Sequence, residues 1–220
     1  MKLSVTLVPV TAFEQNCAIL HDPESGRGAV IDPGGDVPRI LAAIGNLGVT
    51  VETILLTHGH LDHAGGASAL ARALLAARPG QDVPILGPEA RDRFLLEGIA
   101  RQAAAFGLAD MENVTPARFL AEGDEIDIAG VPFAVLHCPG HTPGHIVFAD
   151  RVNRFAVLGD VLFQGSIGRT DFPYGDQRQL LAAIAGKILP LGDDVHFICG
   201  HGPASSIGAE RRDNPFLRGL

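Results

Sequence analysis

The chain is organised around Thr57-His58-Gly59-His60-Leu61-Asp62-His63, which directly follows the apolar run Ile54-Leu55-Leu56. Histidine and aspartate at this density are rarely needed for packing, whereas imidazole nitrogen and carboxylate oxygen are ligands of zinc and its first-row neighbours. If the segment leaves its strand still extended, His58 and His60 face the same side. The aspartate and the last histidine then lie at a turn into the next helix, where they can reach a second ion. We therefore interpret the stretch as a metal site at the end of a strand.

Two other interpretations of the same stretch are weaker. A helical HExxH zinc site needs histidines four positions apart with a glutamate between them, and the stretch has neither feature. A surface loop that is rich in histidine by chance is the second alternative. The position directly after an apolar strand favours a functional site, because α/β sheets usually carry function at the carboxyl ends of their strands.

Composition indicates one globular α/β domain. A chain of 220 residues can bury a complete core, since single domains commonly contain about 50 to 250 residues. We therefore expect residues 1–220 to form a single domain. High aliphatic content, 27 glycines and the absence of tryptophan suit an α/β protein with tight turns. The net charge of −8 disfavours nucleic acid or an anionic membrane as a partner.

Cysteine usage and hydropathy predict a soluble, cytoplasmic protein. Cys17, Cys138 and Cys199 form no CxxC pair, so neither a disulfide framework nor a cysteine zinc site is indicated. A reducing compartment fits this pattern, and we interpret Cys138 and Cys199 as packing residues. The first residues, Met1–Pro9, alternate too strongly for a signal peptide. No apolar run approaches the roughly 18 residues that cross a bilayer.

The order of elements predicts a chain that mixes strands and helices. Met1–Pro9, Gln15–Leu20 and Gly28–Ile31 predict an opening β meander. Further strands are expected at Val51–Leu56, Val83–Leu86, Phe119–Gly123, Glu125–Ile128, Val131–His137, Ile146–Phe148, Arg154–Leu158 and Val195–Cys199. Helices are expected at Asp36–Asn46, Ala64–Arg78, Pro88–Phe106 and Asp176–Ile188. We interpret Pro88–Phe106 as a cover over the metal site, with an ordinary amphipathic helix packed on the sheet as an equal alternative.

Three further predicted strand ends each carry one more ligand residue beside a glycine: His141, Asp160 and His201. Together with the first stretch they give five histidines and two aspartates. That set is enough for two metal ions and too large for one closed structural zinc site. A two-metal hydrolytic centre explains it, with a carboxylate bridging ions about 3.5 to 4 Å apart and a shared water or hydroxide between them. We therefore favour a catalytic site over a structural one.

The pattern HxHxDH, followed by single His, Asp and His residues at strand ends, resembles the metallo-β-lactamase superfamily, and the likeness covers nearly the whole chain. Within that superfamily the sequence is most similar to the short bacterial glyoxalase II-like hydrolases. The segments that carry this likeness are Asp32-Pro33-Gly34-Gly35, the Thr57–His63 stretch, Pro139-Gly140-His141-Thr142-Pro143-Gly144-His145, Gly168-Arg169-Thr170-Asp171-Phe172-Pro173, Gly200-His201-Gly202-Pro203 and Glu210-Arg211-Arg212-Asp213-Asn214-Pro215. The resemblance implies a four-layer αββα sandwich with the metals at one edge of the two sheets.

The resemblance also implies a role for each ligand residue. The first metal would be held by His58, His60 and His141, the second by Asp62, His63 and His201, and the bridge between them would be Asp160. Zinc is the expected metal, with iron and manganese as alternatives, because sites of histidine and aspartate accept all three. The implied reaction is hydrolysis of a thioester such as S-D-lactoylglutathione to D-lactate and glutathione. A bridging hydroxide would attack the carbonyl, and the carboxylate of Asp62 would orient it.

One feature departs from full-length glyoxalase II enzymes, which carry a C-terminal helical domain that supplies much of the glutathione contact. Only 19 residues follow His201, so we expect that domain to be absent and the small-molecule thioester to be bound by other residues. Candidates for these contacts are the Pro88–Phe106 cover, the tail residues Arg211 and Arg212, and the loop residues Arg169, Phe172 and Tyr174. An ion pair of Arg169 with Asp171 that braces the loop is an equal alternative. A thioesterase with a broader substrate range fits the same departure.

Two alternative functions remain open. A persulfide dioxygenase, from a related family that holds one iron with two His and one Asp, shares the Gly168–Phe172 type of motif. The Gly200–Pro203 turn and the Gly144-His145 pair look more like the hydrolase branch. A non-catalytic metal-binding module is the alternative from another class, and a complete bridging set argues against it. His145 is not needed as a ligand, but it could donate a hydrogen bond that orients one.

Overall fold

The computed structural model describes residues 3–108 and 110–220. The strands are β1 Ser4–Val10, β2 Gln15–His21, β3 Arg27–Ile31, β4 Thr50–Leu55, β5 Ile85–Leu86, β6 Glu125–Ile128, β7 Val131–His137, β8 Ile146–Asp150, β9 Phe155–Val157, β10 Leu162–Phe163, β11 Ser166–Ile167, β12 His196–Ile198 and β13 Ser205–Ser206. The α-helices are α1 Val37–Leu47, α2 Leu61–Ala64, α3 Ala67–Ala77, α4 Arg93–Leu96, α5 Ile99–Ala105, α6 Gln177–Ala183 and α7 Ile207–Asp213. Shorter helical turns are the 3-10 segments Ala90–Asp92, Leu189–Leu191 and Pro215–Leu217 and the π-helical turn Ile184–Ile188.

The first sheet has the strand order β1-β2-β3-β4-β5. Antiparallel pairing of β1 with β2 and of β2 with β3 confirms the predicted meander. From β3 onward the pairing is parallel, because α1 and α3 return the chain to the starting edge before β4 and β5. In α1 the apolar residues Ile40 and Ile44 are buried, and Gly48 ends the helix with a φ of 67°, a left-handed value that glycine adopts without strain.

The second sheet has the strand order β13-β12-β9-β8-β7-β6. Its strands pair antiparallel except for β9 with β12, which are parallel and are connected through α6. A separate hairpin of β10 and β11 lies within the long segment between β9 and α6. As a result β9 and β12 both end at the same edge of the sheet, which is where a ligand residue follows each of them.

The inner strands β2 and β8 are buried on both faces of their sheets. In β2, Ile19 packs in an apolar cluster with α1 and α3, whereas Leu20 points into a cluster between the sheets. In β8, Val147 packs in a third cluster with α6, whereas Phe148 joins Leu20 between the sheets. This alternation follows from the two-residue period of a strand. The predicted four-layer αββα sandwich is therefore confirmed.

The structure corrects two predicted elements. Pro88–Phe106 is divided into a 3-10 turn, α4 and α5, with a break at Gly98. Phe119–Gly123 is not a strand, because its end is a turn in which the Asp124 carboxylate accepts a hydrogen bond from the Ala121 N–H at 3.0 Å. Among the helices that the structure describes, none has both the length and the apolar character needed to cross a membrane.

Candidate metal centre

The predicted ligand residues lie in turns that follow strands of both sheets. The turn after β4 carries the Thr57–His63 stretch, whose second half begins α2. The turns after β7, β9 and β12 carry, in that order, His141, Asp160 and His201. Because the two sheets pack face to face, these four turns meet at one edge of the sandwich, and the side chains converge there.

Three histidine nitrogens form the first group. His58 Nε2 lies 3.1 Å from His60 Nδ1, which lies 3.0 Å from His141 Nε2. Ring nitrogens turned toward one point leave lone pairs that need a proton or a cation between them. A tetrahedral zinc with Zn–N bonds of about 2.0 to 2.1 Å holds its nitrogen ligands about 3.3 Å apart. The group therefore fits a metal ion.

A second group consists of Asp62, His63 and His201. Asp62 Oδ2 lies 3.3 Å from His201 Nε2 and 4.0 Å from His63 Nε2. All three ligand atoms lie within 4.8 Å of one another. A mixed set of imidazole nitrogens and a carboxylate oxygen suits zinc and iron.

Asp160 lies between the two groups. Its Oδ2 atom is 3.5 Å from His141 Nε2 of the first group and 3.8 Å from His201 Nε2 of the second. Its Oδ1 atom is 3.4 Å from His63 Nε2, yet these two buried atoms have no hydrogen-bond partner within the described chain. Buried polar atoms without partners are costly, and a cation at this point would satisfy both. The residues therefore fit a pair of metal ions with one carboxylate between them.

Asp32, His58 and His63 also come close together, but on the opposite edges of the histidine rings. Asp32 Oδ2 accepts a hydrogen bond from His63 Nδ1 at 2.9 Å and another from the Thr57 hydroxyl at 2.6 Å. The Thr57 hydroxyl also contacts His58 Nδ1 at 3.0 Å. Such partners fix the tautomer and orientation of a ligand histidine. We interpret this group as the support of the centre, not as another metal site.

Burial and neighbouring charges set the protonation states around the groups. Burial lowers the pKa of His58 well below its usual value, which leaves a neutral imidazole with a free lone pair. Burial also lowers the pKa of His63, but the carboxylates of Asp160 and Asp62 outweigh it and raise the pKa to about 9. Burial raises the pKa of Asp62, but the charge of His63 and neighbouring hydrogen bonds bring it below its usual value. A metal ion entering the second group therefore displaces a proton from His63.

Glycines beside the ligand residues permit this close packing. A Cβ atom on Gly200 would lie 2.1 Å from Asp160 Oδ1 and 2.5 Å from His63 Cε1. A Cβ atom on Gly159 would lie 2.8 Å from His145 Nε2. Gly200 is thus required by the space that the Asp160 and His63 side chains fill, and Gly159 by the space that His145 fills.

His145 supports the centre differently from the sequence prediction. Its Nε2 atom accepts a hydrogen bond from the backbone N–H of Asp160 at 3.0 Å. Its ring stacks on that of His58 with centroids 4.7 Å apart. From the sequence, His145 could donate a hydrogen bond that orients a ligand; in the structure the ring instead accepts one, from the backbone of the proposed ligand Asp160.

The metal groups open into a cavity of about 500 Å³. The predicted substrate-contact residues Arg169, Phe172 and Tyr174 all line it. The Tyr174 hydroxyl contacts His60 Nε2 at 2.8 Å, and the Tyr174 ring stacks on Phe172 at 5.3 Å. Arg169 pairs with Asp171 at 2.8 Å and lies over the Phe172 ring, so the ion pair that was the alternative for Arg169 is present. This loop supplies most of one wall of the cavity.

The other proposed substrate contacts have mixed outcomes. From the Pro88–Phe106 cover, Phe106 lines the cavity and Phe94 packs edge-on against Tyr174. Leu96 of the cover is part of the helix-side core. In the tail, Arg211 pairs with Asp193 at 2.7 Å and is not among the residues that line the cavity. The cover thus contributes to the cavity, whereas Arg211 does not.

Two buried aspartates near the centre were given no role from the sequence. From the sequence, Asp32 is only part of the Asp32-Pro33-Gly34-Gly35 motif. In the structure it accepts hydrogen bonds from His63 and Thr57. Asp92 lies in the cover segment and is completely buried. Neither a carboxylate in a turn nor one in a helical pattern gives a signal of such a role, because its partners come from distant parts of the chain.

Comparison with known proteins places these observations in context. Residues 10–201 match the family model described as Metallo-beta-lactamase superfamily. Hydroxyacylglutathione hydrolase GloC of Haemophilus influenzae is 45% identical over 216 residues, which cover 98% of each chain. The solved structure of the BLEG-1 B3 metallo-beta-lactamase is 32% identical with a TM-score of 0.87, covering 98% of this chain and all of that one. The structure of TTHA1623 in a di-iron-bound form is 35% identical with a TM-score of 0.81, covering 97% of this chain and all of that one.

Proposed function

The chain belongs to the metallo-β-lactamase superfamily as a metallo-hydrolase, and we propose that it is a dinuclear enzyme that cleaves a thioester such as S-D-lactoylglutathione to D-lactate and glutathione. The observation that carries this proposal is the position of Asp160, whose two carboxylate oxygens face ligand atoms of both groups. The similarity to a hydroxyacylglutathione hydrolase over nearly the full length supports the choice of substrate class.

The proposed ligands follow the two groups. One ion would be held by His58, His60 and His141, the other by Asp62, His63 and His201, with Asp160 as the bridge. Two divalent ions bound there would polarise the substrate carbonyl and lower the pKa of water toward neutrality. We propose zinc as the metal. The di-iron form of a similar structure makes iron the first alternative, and manganese is the second.

Asp62 is the proposed catalytic carboxylate. Its pKa lies below the usual value, since the charge of His63 and neighbouring hydrogen bonds outweigh the effect of burial. The side chain therefore stays ionised at neutral pH and lines the cavity. From that position it can accept a hydrogen bond from the attacking water and orient its oxygen toward the carbonyl carbon. The leaving thiolate of a thioester is a weak base, so the reaction does not depend on a dedicated general acid.

The Tyr174 hydroxyl lies close to the centre on the substrate side of the cavity. Burial raises the pKa of Tyr174 to about 12, so the hydroxyl keeps its proton. With His60 Nδ1 as a metal ligand, the Nε2 atom would carry the ring proton and donate a hydrogen bond to the Tyr174 oxygen. The proton of the hydroxyl is then available for the carbonyl oxygen of the substrate, where negative charge develops.

The remaining contacts come from the same wall. The guanidinium of Arg169 is largely exposed at the rim of the cavity, where it can exchange Asp171 for a carboxylate of the substrate. The Phe172 ring offers apolar surface beside it. We propose that these residues bind the thiol part of the substrate. A thioesterase of broader substrate range would use the same contacts.

The test is a substrate panel on purified protein reconstituted with zinc or iron. We expect release of thiol from S-D-lactoylglutathione, measured with a thiol reagent, and loss of that activity in Asp62→Ala. The control reactions are β-lactam hydrolysis, because of the likeness to a B3 enzyme, and oxygen uptake on glutathione persulfide. Oxygen uptake without thioester cleavage would reassign the protein to the dioxygenases. Metal binding without turnover of any compound in the panel would favour a non-catalytic module.

A further inference from the structure

Asp92 is a completely buried carboxylate that the proposed reaction does not use. It ends the 3-10 turn Ala90–Asp92 and precedes α4 in the cover segment. Within residues 3–108 and 110–220, no arginine, lysine or histidine forms an ion pair with it. A buried carboxylate without a cation is expensive, so its hydrogen bonds must have a specific purpose in this fold.

The hydrogen bonds of Asp92 join two loops that are far apart in sequence. Its Oδ2 atom accepts from the Gly59 N–H at 2.8 Å and from the Thr142 hydroxyl at 2.7 Å. Its Oδ1 atom accepts from the Gly144 N–H at 2.6 Å. Gly59 lies between His58 and His60 of the first loop, and Thr142 directly follows His141 of the second. One carboxylate therefore bridges the two loops that supply the first metal group.

The approach of Asp92 to both loops requires glycine at two positions. A Cβ atom on Gly59 would lie 3.0 Å from the Asp92 carbonyl oxygen. A Cβ atom on Gly144 would lie 2.6 Å from the Asp92 backbone nitrogen and 2.5 Å from the Glu89 carbonyl oxygen. The Glu89 N–H also donates to the Gly144 carbonyl at 3.0 Å. The cover segment thus contacts the Gly144 loop through its backbone as well as through the Asp92 carboxylate.

We propose that Asp92 is a positioning residue for the metal centre, which holds the His58–His60 loop at a fixed separation from the His141 loop. The three nitrogens of the first group then converge before an ion binds. This inference rests on the proposed metal centre, but it does not depend on the identity of the substrate. Outer partners of this kind typically change metal affinity by about 10-fold to 100-fold when they are replaced.

Asp150 offers a matched control for a purely structural role. It is also buried, and it accepts hydrogen bonds from the N–H groups of Val152 and Asn153 at 2.9 Å and from the Asn153 side chain at 2.6 Å. Asp150 is the last residue of β8, and the first residue of this strand lies beside the metal site. Asp150 is therefore at the end of the strand that is distant from the ligand residues. Replacing either aspartate by asparagine leaves buried donors without a full set of acceptors, which lowers stability.

The experiment compares Asp92→Asn, Asp150→Asn and Thr142→Val. Each variant is freed of metal and then titrated with cobalt(II), and binding is measured by the visible absorption of the bound cobalt. Both aspartate variants are expected to have a lower Tm without metal. Of these two variants, only Asp92→Asn should weaken binding of the ion at the first group, by about 10-fold to 100-fold. Thr142→Val, which removes one of the three donors, should weaken it by a smaller factor.

Wild-type cobalt affinity in a folded Asp92→Asn protein would overturn the proposal, since only a structural role would remain. If Asp92→Asn does not fold, Thr142→Val decides, and wild-type affinity in that variant has the same meaning. Failure of the proposed function is a separate result: the wild type would bind metal normally and hydrolyse no thioester.

Discussion

At the scale of single residues, the proposed ligands His141 and His201 are each held at Nδ1 by a backbone carbonyl. His141 Nδ1 contacts the Arg169 carbonyl at 2.7 Å, and His201 Nδ1 contacts the Phe13 carbonyl at 3.2 Å. A carbonyl oxygen can only accept, so the Nδ1 atom of each ring carries the proton. The Nε2 atom is therefore left with its lone pair toward the other ligands. The backbone thus selects the tautomer that metal binding needs.

The first prediction concerns Asp92 and pH in the metal-free protein. Burial raises the pKa of Asp92 to about 6, although its three hydrogen bonds oppose this. A carboxyl group whose pKa is higher in the folded than in the unfolded state stabilises the fold while it is protonated. This contribution is complete below the unfolded pKa of about 4 and is lost as the pH rises through the folded pKa of about 6. Asparagine does not titrate. Between these pH values the wild type should therefore lose up to about 3 kcal/mol of unfolding free energy relative to Asp92→Asn.

Urea unfolding of both metal-free proteins at a series of pH values measures this difference. Comparison within the pair removes the contribution of the other titrating groups, as long as these respond alike in both proteins. A difference in unfolding free energy that stays constant from about pH 4 to pH 7 would contradict a raised pKa at this position.

The second prediction concerns the Tyr174 hydroxyl. Tyr174→Phe keeps the ring that stacks on Phe172 but removes the proposed donor to the substrate oxygen. We expect kcat/KM for the thioester to fall by about 10-fold to 100-fold, with the metal content per chain unchanged. Steady-state kinetics and metal analysis of the same preparation test it. Loss of metal in the variant would instead show that the hydroxyl positions His60 as a metal ligand.

The convergence of the proposed ligand residues could be predicted from the sequence because each follows an apolar strand, and strand ends meet at an edge. Their supporting partners could not. Asp32 and Asp92 acquire their roles from residues that are distant along the chain, Asp32 from His63 and Asp92 from Thr142. No spacing rule connects such pairs. The hydrogen bond that His145 accepts also depends on where the backbone of the Asp160 turn lies, and the sequence does not specify that position.

At the scale of elements, the turn after β3 packs against the start of α2. A Cβ atom on Gly34 would lie 1.5 Å from the Asp62 carbonyl oxygen, so only glycine fits between these elements. Gly34 of the Asp32-Pro33-Gly34-Gly35 motif is therefore required because the two elements leave no room for a side chain. It allows the turn to lie directly under the second metal group.

The third prediction compares two glycine substitutions. Gly34→Ala must displace the backbone at Asp62, and we expect a loss of about 2 to 4 kcal/mol of unfolding free energy and weaker binding of the second ion. The control is Gly45→Ala in α1, where a Cβ atom has no neighbour within 4 Å. Alanine is favoured over glycine in a helix, so this variant should gain up to about 1 kcal/mol. Equal stability of the two variants, measured by urea unfolding, would contradict this account.

The main elements could be predicted from hydrophobic periodicity, since both sheets alternate their side chains between two apolar layers. The cover segment could not be resolved in the same way. Its apolar spacing predicts one helix, but Asp92 turns toward the ligand loops and the helical segment breaks again at Gly98. Contacts with distant loops therefore override local periodicity where the chain builds the site.

At the scale of the whole molecule, the candidate metal centre lies where the two sheets meet. The proposed ligands after β4 come from the first sheet, and those after β7, β9 and β12 come from the second. The sheets are otherwise held together by the apolar cluster between them, which includes Leu20, Phe133 and Phe148. An ion that binds ligands from both sheets adds a link between the two halves at the open edge.

The fourth prediction follows for metal removal. An ion that binds the folded chain at about 1,000 times its Kd adds about 4 kcal/mol of stability, and each kcal/mol corresponds to about 2 to 4 °C in Tm for a chain of this size. We expect the Tm to fall by about 8 °C or more on chelation and to recover when zinc is added back. Scanning calorimetry measures it. A Tm that is unaffected by chelation would show that the halves do not depend on the metal.

The most direct measurement is the metal content per chain of the wild type and of Asp160→Ala, determined by elemental analysis together with hydrolysis of S-D-lactoylglutathione. The dinuclear account predicts two ions per wild-type chain with thioester cleavage. It also predicts one ion or fewer in Asp160→Ala, with activity reduced by about 100-fold or more, since the bridge between the groups is lost. One ion per wild-type chain, or an Asp160→Ala protein that retains hydrolysis, would contradict it.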